Sequence, residues 1–130
     1  MLLELTRDFG PQSAFVEEID AVLLTHSHRD ASGGVPRLRR WLHERSAEPI
    51  DVYASAETIA ASRGRYVRLD CCRFIEVRDG ERHRVGRVTV TALTVPQALD
   101  PHCPTFAWKL RAGPNAVVYA SDVARLTSAP

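Results

Sequence analysis

The chain has 130 residues, 45% of them apolar and 25% charged, which fits a globular protein large enough for one domain with its own core. A net charge of +1 gives no strong global field for nucleic acid or an anionic membrane, so neither is an expected partner. No apolar stretch approaches the ~20 residues of a membrane helix. The opening Met-Leu-Leu-Glu-Leu-Thr-Arg-Asp lacks the basic region and cleavage site of a signal peptide, which points to the cytoplasm.

Taken in order, Leu2 to Leu5 reads as a short apolar strand, Thr6 to Ser13 as a loop around Gly10-Pro11, and Gln12 to Glu18 as a short helix. Ala21 to Leu24 is an uninterrupted apolar run, the mark of a central parallel strand covered on both faces. It ends abruptly in His26, His28 and Asp30, and Gly33-Gly34 then breaks the pattern. Val35 to Arg45 is the clearest helix. Pro36 suits its first turn, and Leu38, Trp41 and Leu42 make one apolar face. Arg37, Arg39, Arg40, Arg45 and His43 read as its solvated side.

Ile50 to Ala54 reads as a strand. Ser55 caps a second helix, Ala56 to Arg63, which Gly64 is expected to end. Arg63, Arg65, Arg68 and Arg73 then spread over a loop-like stretch with Tyr66, which reads as plain surface, with a substrate lip as the alternative. Phe74 to Val77 and Glu81 to Val85, joined through Asp79-Gly80, suggest a hairpin. Val88 to Val95 alternates strictly, with Val88, Val90, Ala92 and Thr94 on one face. It stops at Pro96-Gln97, and residues 101–104 form a loop. Thr105 to Leu110, the turn Gly113-Pro114-Asn115, and Ala116 to Ala120 follow, and Ser121-Asp122 closes the last strand. Without repeats or linkers, residues 1–130 read as a single domain. Cys71, Cys72 and Cys103 lack metal-binding spacing, and free, at least half-buried thiols are expected.

The chemistry is concentrated at residues 26–30. Side chains two apart in an extended segment point the same way, so His26, His28 and Asp30 can converge at a strand end, where α/β folds place their sites. Two imidazoles and a carboxylate suit zinc or another divalent transition metal. An isolated His-x-His would more simply be a solvated loop. Here the pair follows a buried strand and precedes a Gly-Gly turn.

Thr25 to Gly34 resembles the metallo-β-lactamase superfamily, whose signature is His-x-His-x-Asp-His before a Gly-containing turn; Ala31 stands where its last His belongs. Tyr119-Ala120-Ser121-Asp122 resembles the strand end that supplies a metal-bridging carboxylate in that family. The resemblance implies an α/β (α+β) fold, a β-sandwich flanked by helices, here an incomplete αββα arrangement shortened on the C-terminal side. It implies a metal set of His26, His28, Asp30 and Asp122. Gln97 occupies the place of a further ligand His, with His102 as a substitute. With those histidines replaced, a single zinc or manganese ion is expected rather than two. The implied activity is hydrolysis of a phosphodiester or similar anionic ester by metal-activated water, with Asp30 as the proton acceptor. The alternative is a non-catalytic remnant that acts as a binding or self-associating module, since an incomplete sandwich exposes apolar sheet. Scattered arginines alone make nucleic-acid binding the weakest reading.

Overall fold

The computed structural model describes residues 1–3, 19, 21–28, 32–44, 48–96 and 103–121. Within them the elements run β1 (Leu2–Leu3), β2 (Ala21–Leu23), α1 (Val35–Glu44), β3 (Ile50–Ala54), α2 (Ala56–Arg65), β4 (Cys72–Glu76), β5 (Arg82–Val85), β6 (Val88–Val95), β7 (Thr105–Ala112) and β8 (Asn115–Tyr119). The expected segments at residues 4–18 lie outside the described residues. Two four-stranded sheets result, ordered β1-β2-β3-β4 and β5-β6-β7-β8. The first is wholly parallel and the second wholly antiparallel. Helices on one side of one sheet, and a second sheet on the other, make the expected helix-flanked sandwich.

Strand β2 shows why the apolar run was needed. It lies between β1 and β3, and all of its residues are buried. Val22 and Leu24 point into a core with Val35, Leu38, Trp41 and Leu42 of α1 and Ile59 of α2. Ala21 and Leu23 point the other way, against Val90, Ala92, Phe106 and Trp108 of the second sheet. Each fully buried side chain of this size contributes about 1.5–3 kcal/mol of burial free energy. The alternation expected in β6 is present, since Val90 and Ala92 are fully buried between the sheets.

Two local expectations are corrected. Helix α2 runs through Gly64 to Arg65, and the chain leaves it at Tyr66, whose φ of −117° and ψ of 137° are extended. A lone glycine costs a helix about 1 kcal/mol and does not by itself end it. The segments on either side of Asp79-Gly80 are not hairpin partners. Strand β4 pairs with β3, and β5 pairs with β6. The Asp79-Gly80 turn is real, with Gly80 at φ 77°, but it carries the chain from one sheet to the other. It is docked by Gly80 N donating to Ala92 O at 2.7 Å and Thr94 N donating to Asp79 Oδ1 at 2.7 Å. The hairpin is one step later, across Gly86-Arg87, where Val85 faces Val88 and Gly86 takes φ 60°.

Candidate metal centre

The two sheets are stitched together where β2 runs out. Leu24 N donates to Tyr53 O at 3.0 Å and so still belongs to the parallel sheet. The next carbonyl, Thr25 O, accepts from Phe106 N of β7 at 2.7 Å. The indole Nε1 of Trp108, itself fully buried, donates to Leu24 O at 3.0 Å. A buried carbonyl left unpaired costs about 1–3 kcal/mol, so these bonds hold the backbone rigidly as it turns out of the sheet.

His26 sits directly on this support. Its side chain is fully buried, and its Nδ1 lies 2.8 Å from Thr25 Oγ1. A hydroxyl at that distance sets the orientation of the imidazole, as outer partners of metal-binding histidines do. His28 is half-buried, and its ring stands edge-on to that of His26, centroids 4.9 Å apart. Of the three side chains expected to converge, His26, His28 and Asp30, the two imidazoles lie side by side. Asp30, Gln97, His102 and Asp122 lie outside the described residues. Among the described residues no group of three or more His, Cys, Asp or Glu is placed to hold a metal.

The rest of the turn is held by residues that sequence reasoning missed. Ser32 N donates to His28 O at 2.9 Å, and Ser32 Oγ donates to Ser27 O at 3.0 Å and His28 O at 3.1 Å. Arg65, the last residue of α2, donates from Nη2 to Ser27 O at 2.9 Å and from Nη1 to Ser32 Oγ at 3.4 Å. Its guanidinium also lies 5.9 Å from the centre of the Tyr66 ring. The reading of Arg65 as plain loop surface is corrected: it ends a helix and hydrogen-bonds the His-Ser-His turn. No local pattern announces this, because the partners are 33 and 38 residues away in sequence. Arg63 also belongs to α2, and Arg73 lies on β4, where it pairs with Asp51 at 2.7 Å.

The second sheet forms the other wall. Cys103 Sγ lies 3.7 Å from Ser27 Oγ, and Thr105, also buried, donates to Cys103 O at 3.1 Å. Strand β8 runs antiparallel to β7 and ends at Tyr119, opposite Trp108. Residues 104–106 also line a cavity of about 520 Å³, shared with Ser55, Glu57, Glu76, Arg78, Asp79 and Thr94. Its size is that of an ordinary small-molecule site, at the carboxyl ends of β3 and β4.

Comparison with known proteins agrees with this architecture. No curated protein sequence matches the chain. Among solved structures, the metallo-β-lactamase fold protein YhfI from Bacillus subtilis superposes with a TM-score of 0.72 at 18% identity, over 90% of this chain and 48% of that one. A diphosphatase of the PhnP family gives 0.71 at 18% identity, over 83% and 42% of the two chains. A Cronobacter sakazakii metallo-β-lactamase described by a HARLDQ motif gives 0.64 at 22% identity, over 91% and 47%. The chain spans about half the length of these structures. The model of the β-lactamase superfamily domain matches residues 4–129, and with the metallo-β-lactamase fold of its structural neighbours it shows that the chain belongs to that superfamily.

Proposed function

We propose that the chain carries part of a metal-dependent hydrolase site acting on a phosphodiester or similar anionic ester. The observation that supports it most directly is the pair of imidazoles at the end of β2, rings 4.9 Å apart on a turn held by backbone bonds on both sides. Imidazole nitrogens are donors well matched to zinc or manganese, so the two residues present are of the kind such an ion takes. His26 and His28 would hold it, with Asp122 as the carboxylate partner and His102 or Gln97 as further candidates. A bound divalent ion supplies Lewis acidity and a lowered pKa for water.

The protein's own residues supply the rest. Thr25 Oγ1 fixes the ring of His26. Trp108 and Phe106 exclude water from beneath the turn, since both are buried in the inter-sheet core. Asp30 accepts the proton released when water attacks the ester. The 520 Å³ cavity beside residues 104–106 offers room for the group leaving the ester.

Elemental analysis after loading with Zn²⁺ or Mn²⁺ tests the reading directly. One ion per chain is expected, falling to a small fraction of that in His26→Ala, together with loss of hydrolysis of a chromogenic phosphodiester. Wild-type protein that holds no ion sinks the proposal.

A second reading is favoured by a different observation. Val117 and Val118 are 65% and 57% exposed on β8, which is the outermost strand of its sheet among the described residues. A remnant that associates with a second copy through β8 would use them. Sedimentation showing a monomer at every concentration would count against this reading.

A further inference from the structure

The opposite end of the parallel sheet carries chemistry that hydrolysis does not use. Strand β4 begins at Cys72, paired with Ile50 at the start of β3, so this is the amino-terminal end, away from the His26–His28 turn. Successive side chains in a strand point to opposite faces, which would separate the sulfurs of adjacent cysteines. Here Cys71 is still in the preceding turn, set by Cys72 N donating to Leu69 O at 3.0 Å and Ile50 N donating to Cys71 O at 3.0 Å. The break in alternation brings both sulfurs to the helix-covered side, 3.5 Å apart and not joined in a disulfide.

The two thiols are not equivalent. Their shared hydrogen bond holds Cys71 below the ordinary thiol range and pushes Cys72 above it, because one sulfur keeps the proton that stabilises the other as thiolate. Cys71 also lines a cavity of about 140 Å³, bounded by Arg39, Leu42 and His43 of α1, Pro49 and Asp70. Arg39 and Asp70 are paired at 2.9 Å at this cavity, and of the two charges the Asp70 carboxylate, which raises the Cys71 thiol, outweighs the Arg39 guanidinium, which lowers it.

We propose that Cys71 and Cys72 form a two-sulfur chelating site for a trivalent arsenical, independent of the candidate metal centre. A pyramidal arsenic centre takes both sulfurs on one side, as their 3.5 Å separation presents them, whereas a linear two-coordinate ion needs them on opposite sides. With phenylarsine oxide the step balances without redox change. Two As–S bonds form, the two As–O bonding pairs leave with the oxygen, and the two thiol protons go with it as one water.

Intact-mass measurement of the folded full chain with phenylarsine oxide is the test. One adduct per chain is expected, with Cys71 and Cys72 both protected from alkylation and Cys103 still reactive after unfolding. A dithiol such as dimercaptopropanol should reverse it and a monothiol should not. Cys71→Ser and Cys72→Ser should each weaken binding roughly 100-fold or more, the scale of an intramolecular second attachment. Cys103→Ser should leave it unchanged. Protection mapping on the wild type decides the matter even if a serine variant fails to fold. No adduct on the native chain, an adduct that a monothiol removes, or protection of only one of the two cysteines overturns the proposal.

Discussion

The two ends of the parallel sheet are built from the same strands and do opposite work. At the carboxyl end, backbone carbonyls are buried or half-buried and each accepts a hydrogen bond: Thr25 O from the backbone of β7, Leu24 O from the Trp108 indole, Ser27 O from the side chains of Ser32 and Arg65. At the amino end the ion pairs Arg39–Asp70 and Arg73–Asp51 stand largely in solvent. Strand direction explains the contrast. Loops leaving the carboxyl ends of β2 and β3 lead into helices that pack back on the sheet, so their polar groups are enclosed. Desolvated bonds of the first kind matter to stability, and exposed pairs of the second kind matter little. Substitutions at four positions test that ranking.

The largest effect is expected at Trp108, which belongs to the second sheet yet supports the carboxyl end of the first. Trp108→Ala removes a fully buried indole and strands Leu24 O. About 3–5 kcal/mol of stability should be lost in urea unfolding. A loss under 1 kcal/mol would mean that the sheets are not coupled through this side chain.

Arg65 comes next and separates positioning from stability. Arg65→Met removes both bonds to the His-Ser-His turn while keeping much of the aliphatic stem. Loss of such outer support typically costs 10- to 100-fold in metal affinity, which calorimetry with Zn²⁺ would read. Arg65→Lys should recover only part of it, since an ammonium cannot span Ser27 O and Ser32 Oγ as the planar fork does. Equal affinity in all three proteins would reduce Arg65 to a packing role.

What the sequence made legible follows from the same physics. Apolar runs and strict alternation depend on local periodicity, and they located β2, α1, β3 and β6 to within about a residue of the observed ends. The His26–His28 pair was legible because a buried run stops abruptly at it. Pairing is not local: Asp79-Gly80 has hairpin composition but joins two sheets, while Gly86-Arg87 makes the hairpin. Arg65 was illegible for the same reason, since its role depends on a turn closed only by the tertiary fold.

Ser55 tests the carboxyl end more gently. It follows β3 and caps α2, accepting from Thr58 N at 3.1 Å and donating to Thr58 Oγ1 at 3.0 Å. Ser55→Ala should cost about 1 kcal/mol in urea unfolding. Because α2 ends in Arg65, a frayed helix should also loosen the turn, visible as faster amide exchange at Ser27 and Ser32. Unchanged exchange would show that the last turn of α2 is held independently of its first.

The smallest effect belongs to the amino end. The Arg39 guanidinium bonded to Asp70 holds that carboxyl below its usual range. A depressed carboxylate contributes stability above its unfolded-state pKa, and the contribution is lost as pH falls through the folded value. Asp70→Asn should therefore change stability slightly at neutral pH and not at all under strongly acid conditions, where both proteins are neutral at this position. Solvent screening keeps the neutral-pH difference small, and added salt should shrink it further. A difference that persists in high salt would mean that the pair acts through packing around the Cys71 cavity rather than through charge, and would bring the two ends of the sheet closer in kind than their exposure suggests.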